Sequence, residues 1–560
     1  MRGLCGAGRP LGPLWGCAGS HLRFQAAESR EPCFFLSWWI VAGCLFVALV
    51  PAAAAQRLAL PDSNELGLDV RAYNEGIRFV EEGEHAKAVA SFSKAIELNP
   101  TFARAYSDRG LAQAMLGQLD AAVADTSKAI ELNPREPEYL LDRAFAYQQK
   151  GELEKAIADY NLAIRLRPDD AEAYRERGFV SILLGDAQRA VTDLSTAIRL
   201  APRDAAAFAA RGMAWSRMGM WDHAIADHTR ALALEADDAD AWADRGYAYT
   251  MKGELDKALA DLDRAIELAP EDPAARFSRG FALFHLGRLE DAVASYDEAL
   301  KRDPEYFEVY RERAFAHAVA GEKEKAEADF AKAHEMAPDD ASTPLRHGQA
   351  MLRSGDATGA IAQLDRAIKL TPQHAEAHFH RAIAHATAGN MPEAVDDYRQ
   401  TLVLSPQSPQ QYRRWLELAS NEEASEWIGK LETALEQSRD EAKALFAEGV
   451  ESHKEEQLKE AIAKYDQAIQ VYPRYAEVYY NRGLAHRRQD EPEKALRDYS
   501  LAIRLDPEFA AAYSNRGYTY YRMGDLTRAM ADFERVLKID PNNEDAKRSV
   551  DIIRKLLGTN

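Results

Sequence analysis

Between residues 69 and 543 the apolar positions fall at helical spacing in paired runs, and the pair recurs along the chain. Ala171–Asp204 shows one pair. AEAYRERGFVSILLGD sets Ala173, Tyr174, Gly178, Phe179, Ile182 and Leu183 on one face, and Gly185 ends the run. AQRAVTDLSTAIRLAP follows with Ala190, Val191, Leu194, Ala197, Ile198 and Leu200, stopped by Pro202. The pattern predicts a hairpin of two antiparallel helices. Proline marks the phase at Pro100, Pro134, Pro168 and Pro202, then from Pro270 through Pro304, Pro338 and Pro372 to Pro406, in steps of 34 residues with Ala236 in the one gap. It resumes at Pro473, Pro507 and Pro541, giving ten units followed by three.

Small residues recur where two helices must approach. With the proline as position 32, position 8 is Gly in ten units and Ala in three, and position 20 is Ala in all thirteen. Position 27 is Ala in eleven units, and position 15, at the turn, is Gly in eleven. Position 7 is Arg in ten units, and a charge between helices needs a partner. Position 23 offers one: Arg109 with Asp125, Arg245 with Asp261, Arg516 with Asp532, and likewise in six further units. The exceptions are consistent with pairing: His347 stands with Gln363 and Glu448 with Lys464. Arg279 with Ser295 is left without its acid. The arginines are therefore expected to be structural struts.

Residues 409–441 lack the small-residue marks but still read as two helices, with Tyr412, Trp415, Leu416 and Ala419, then Trp427, Ile428, Leu431 and Leu435. A degenerate hairpin that keeps the stack continuous is expected there. The organisation is thus ten units over 69–408, this hairpin, three units over 442–543, and a capping helix over 544–560, with Val550, Ile553 and Leu557 inward.

The pattern resembles the tetratricopeptide repeat family: small residues at 8, 20 and 27, aromatics near 4, 11 and 24, and proline at 32. The resemblance implies an all-α, right-handed superhelical solenoid whose first helices line a concave groove. It also implies protein or peptide binding rather than catalysis. Some members clamp C-terminal carboxylates through Lys and Asn at positions including 5 and 9. Here position 9 is mostly apolar (Leu111, Phe145, Phe179, Met213), so that clamp is not assembled. A family ladder of asparagines at position 6 is represented only by Asn74, Asn481 and Asn515, the last two being candidate groove residues.

Composition narrows the function. A net charge of −20 argues against a nucleic-acid partner. All four cysteines precede residue 56, so the repeats need no disulfide. Cys33–Val50 is an uncharged apolar run, followed by Pro51 and the small-residue pair Ala53-x-Ala55. Residues 1–55 are read as a signal peptide cleaved before Gln56, leaving a linker over 56–68. Lipidation at Cys44 and retention as a membrane anchor are the alternatives, so the protein is expected to be periplasmic or attached to a bacterial envelope.

No phosphate-binding loop, dinucleotide fingerprint or nucleophile elbow occurs, and no catalytic residue, metal or cofactor is expected. His374 and His378 have chelating spacing, but His378 and His385 occupy the aromatic positions 4 and 11. The candidate groove residues are acidic couples at positions 2 and 6: Glu138/Asp142, Glu172/Glu176, Asp240/Asp244 and Glu308/Glu312, extended by Asp108 and Glu376. The leading reading is a binding scaffold that holds a peptide or protein with a Lys/Arg-rich segment. The alternative is an assembly spacer acting by self-association or by bridging envelope complexes.

Overall fold

The computed structural model describes residues 67–405 and 422–557. The described residues form helices and no strand, and each consecutive pair packs as an antiparallel hairpin. In the fourth unit the helices run Ala171–Leu183 and Ala187–Leu200. Gly185 turns the chain between them with φ +80, and Pro202 follows the second. Asp170 caps the first helix by accepting from the Ala173 amide at 3.1 Å. Asp204 and Asp238 cap the first helices of the next two units in the same way.

The core is a row of notches. Position 20 is fully buried alanine (Ala88, Ala122, Ala190, Ala258), and the large side chain at position 24 lies over the glycine at position 8. A Cβ on Gly246 would stand 2.7 Å from Leu262 Cγ, and one on Gly280 would stand 2.5 Å from the Tyr296 ring. At these two glycines a methyl would require the facing side chain to shift, whereas Ala144, Ala314 and Ala382 take the same position in other units. His228 fills the same notch opposite Gly212, and burial together with the Arg245 charge lowers its pKa to about 3. It is a neutral core residue at neutral pH.

Across residues 409–441, the part up to 421 lies outside the described residues. Glu422–Gln437 is a helix whose Leu431 and Leu435 are buried in one core with Ala394, Tyr398 and Leu402 of the tenth unit. Tyr398 donates to Glu432, Arg474 reaches the same carboxylate at 2.6 Å, and Ser438 donates to the Val471 carbonyl at 3.0 Å. The next helix, Arg439–Lys454, reaches back over residues 439–441. The final helix, Glu544–Leu557, buries Val550 and Ile553 against Phe533 and Val536. The apolar run at 33–50 and the Ala53-x-Ala55 pattern lie outside the described residues. Among the described helices none is long and apolar enough to cross a membrane.

Two turns depart from glycine: Glu456 and Asp490 take φ +60 and +61 at position 15. The left-handed region costs an L-residue on the order of 1 kcal/mol. Glu456→Gly and Asp490→Gly are each expected to stabilise the fold by roughly that amount, read as a raised midpoint in urea unfolding. Gly246→Ala is expected to destabilise it by about 1–3 kcal/mol.

Candidate functional site

The position-7 arginines join three helices rather than two. Arg245 donates from Nε and Nη2 to Asp261 at 2.7 and 2.9 Å, and its Nη1 reaches Thr229 Oγ1 of the preceding repeat at 3.1 Å. Arg109 holds Asp125 at 2.6 and 2.8 Å and Ser93 at 2.9 Å. Arg516 holds Asp532 at 2.8 and 2.7 Å and Ser500 at 3.0 Å. The third arm always comes from position 25 of the repeat before, as Asn161 serves Arg177 and Asp466 serves Arg482.

Two expected pairings are corrected by contacts with the preceding repeat. Arg279 does have an acid: Asp263 of the preceding repeat accepts from its Nε at 2.6 Å, while Ser295 takes Nη1 at 2.8 Å. His347 does not meet Gln363; its Nε2 lies 3.0 Å from Glu327, and Gln363 accepts from Arg366. In that unit position 25 of the preceding repeat is Ala331, which has nothing to offer a guanidinium. Lys464 and Glu448 lie 2.5 Å apart.

First helices of neighbouring repeats touch one another: 103–115 with 137–149, 239–252 with 273–285, and 307–319 with 342–353. Second helices of adjoining repeats are more widely spaced. The first helices therefore line the concave side.

On that side the acidic residues are interleaved with guanidinia. Asp108 accepts from Tyr73 at 2.5 Å and lies 3.9 Å from Arg104; Asp142 accepts from Ser107 at 2.6 Å. Glu138 lies 3.4 Å from Arg167. Glu172 and Glu176 flank Arg175 at 3.6 and 3.0 Å, and Asp204 takes its third side at 3.0 Å. Burial and the like charges of Asp240 and Asp238 raise the Asp244 carboxyl to about 7, against the opposing charge of Arg217. Glu308 is also raised to about 7, mainly by burial, with Arg311 opposing.

Further along, Arg311 and Arg346 both donate to Glu312, at 3.2 and 2.7 Å. Arg346 continues to Gln349 at 3.2 Å, and Gln349 donates to Glu376 at 2.9 Å. The histidines are dispersed around this chain. His380 lies 3.6 Å from Glu376, His378 lies 3.0 Å from Asp397, and His374 accepts from the Ala377 amide. Among the described residues no group of three His, Cys, Asp or Glu is placed to hold a metal ion. Asn481 bonds its own helix at the Glu477 carbonyl, 2.8 Å away, and Asn515 bonds Ala511 and the Tyr480 hydroxyl, each at 3.0 Å.

Stacked antiparallel hairpins with a lined inner face define a helical-repeat scaffold. Models of the tetratricopeptide repeat match residues 76–117, 103–136, 144–215, 210–273, 252–306, 277–341, 345–409, 451–490 and 485–557. The chain belongs to the tetratricopeptide repeat family. No curated protein matches it. Among solved structures it is similar to a tetratricopeptide repeat protein from Parabacteroides merdae, at 21% identity and TM-score 0.36 over 42% of this chain and 93% of that one. It is also similar to the APC/C hetero-tetramer Cut9–Hcn1, at 17% identity and TM-score 0.42 over 87% and 96%. A third is YrrB, described as a TPR protein with an unusual peptide-binding site, at 27% identity and TM-score 0.28 over 33% and 95%.

Two outcomes are expected from this geometry. In a double-mutant cycle, Arg245→Ala and Asp261→Ala should show a coupling energy of about 1–3 kcal/mol in urea unfolding. Additive losses would show that the two side chains act independently. Glu308 holds its proton more tightly in the folded state than in the unfolded chain, where a glutamate titrates near about 4.3. Stability therefore falls as pH rises through that value toward about 7 and then levels. Glu308→Gln should unfold at higher denaturant than the parent near about pH 8, with the difference gone below about pH 4.

Proposed function

We propose that this protein is a non-enzymatic scaffold of a bacterial cell envelope that holds a cationic segment of a protein partner on its concave face. The observation that carries the reading is the stacking of first helices, which brings the carboxylates of repeats two to ten to one side of the array. Asp240 and Asp244 stand together on this face, and burial with the like charges of Asp240 and Asp238 raises the Asp244 carboxyl against the opposing charge of Arg217. A Lys/Arg-rich segment entering there adds positive charge to an acidic face, in a cleft whose walls focus the field. Export fits the uncharged run at 33–50 and its small-residue cleavage pattern. The amino terminus of the native protein is expected at Gln56. A start at Cys44 would replace this with a lipid anchor, and a retained apolar run with a membrane helix.

Binding is tested with a fluorescently labelled oligolysine peptide in anisotropy titrations. Affinity should fall steeply as salt rises and the screening length shortens. Asp240→Lys with Asp244→Lys should remove most of the binding while helicity is kept. These two positions are preferred over Glu172 and Glu176, whose reversal would strip Arg175 of its partners. If the reversed protein binds the peptide as well as the parent does, the groove is not the site.

A further inference from the structure

The last two repeats and the final helix carry a surface unlike the rest of the concave face. Position 6 is neutral there: Asn481, Asn515 and, one period on, Ser549. The 34-residue register aligns Leu484, Tyr518 and Ile552 in one row, and Arg487, Tyr521 and Lys555 in the next. Arg488, Arg522 and Leu556 form a third. Tyr518, Ile552 and Leu556 are 46%, 50% and 58% exposed, and Tyr521 is exposed beside them. Elsewhere the exposed large apolar side chains are scattered along the array, such as Leu116, Leu166, Met220 and Leu286.

The cations of these rows have no carboxylate. Arg487 lies over the Tyr518 ring at 5.5 Å, which fixes the two helices' side chains as neighbours. Arg487, Arg488, Arg522 and Lys555 make no ion pair among the described residues, whereas Arg175 and Arg346 on the first helices of earlier repeats are held by acids. The acids nearby are few. Asp545 is taken by Arg548 at 2.5 Å, and Glu477 and Asp551 are exposed.

We propose that this surface, from Tyr480 to Leu556, docks an acidic segment of a partner protein that carries aromatic or aliphatic anchor residues. Exposed tyrosines and arginines together are the composition of an interface centre rather than of solvated surface. Unpaired guanidinia beside them set the sign of the partner's charge, because carboxylates would meet them in charge-assisted hydrogen bonds. The neutral amides at position 6 let a carboxylate-bearing chain approach without repulsion, as the acids of repeats two to ten would not. The surface is thus opposite in charge preference to the face proposed above and is separate from it.

The test uses the full chain without residues 1–55 and three labelled peptides: Asp/Glu-rich with two tryptophans, the same peptide with alanine for tryptophan, and the same with lysine for the acids. The first should bind in anisotropy titrations, the second at least about tenfold more weakly, and the third not at all at this surface. Arg487→Glu with Arg522→Glu, and separately Tyr518→Ser with Tyr521→Ser, should each weaken the first peptide by at least about tenfold. All four residues lie outside the core, and circular dichroism should show the helices retained. Asp240→Lys with Asp244→Lys should leave this binding unchanged, so the two sites fail independently. The proposal is overturned if the parent does not bind the acidic peptide, or if it binds all three peptides alike. It is also overturned if sedimentation shows that these rows join two copies of the chain, with the Tyr518/Tyr521 variant becoming monomeric.

Discussion

A guanidinium presents five N–H donors in a planar fork, and this solenoid uses the fork to tie each repeat to the one before it. Arg245 spends two donors on Asp261 within its hairpin and a third on Thr229 behind it. A lysine at the same place would be a point charge able to serve one helix or the other, without fixing their relative angle. In an array where each unit contacts only its neighbours, stability depends on the interface between units as much as on the units. The arginine contributes to both.

That polar tie works only because the backbones are close. Gly246 and Gly280 admit Leu262 and Tyr296 to van der Waals contact, and the fully buried Ala258 and Ala292 let the second helix settle against the first. With the helices at that distance the arginine and aspartate meet at bonding length while remaining largely shielded from water. Apolar notch and ion pair are therefore one device. Units with alanine at position 8, such as Ala144 and Ala314, still close the pair, Arg143 to Asp159 and Arg313 to Asp329 each at 2.7 Å.

Most of the fold was legible in the sequence because every element repeats. A period of 34, a proline and an invariant alanine leave little freedom in assigning helices. The hairpin partner at a separation of 16 was also legible, since it lies inside the repeating unit. The arm to position 25 was missed, although the sequence carries its trace: Ser93, Ser127, Asn161 and Thr229 precede arginines, and Ala331 precedes His347. The concave face was less readable still. Arg346 with Glu312 joins position 6 of adjacent repeats, and Gln349 with Glu376 joins positions 9 and 2, but the residue types there change from unit to unit, so no recurring pair marks them. The acids stood out, with Arg175 and Arg311 among them, whereas Arg104, Arg167 and Arg346 did not.

The places where the tie is absent divide the array. At the eighth and ninth repeats the fork is replaced by a histidine on one carboxylate, with Ala331 silent. After the tenth, Arg399 stands at position 25 and bonds Asp396 of its own helix, so it offers no acceptor to a following arginine. The irregular segment makes the join there by other means, through Tyr398, Glu432 and Arg474. Beyond that join position 6 carries the amides Asn481 and Asn515, where Asp108, Asp142, Glu176, Asp244 and Glu312 stand in earlier repeats, and exposed tyrosines and arginines lie nearby. The position-6 acids end at Glu312, two repeats before the join, and the amides begin at Asn481 beyond it. Two stretches of one solenoid can then present different chemistries without either constraining the other's packing, because each repeat answers only to its neighbours.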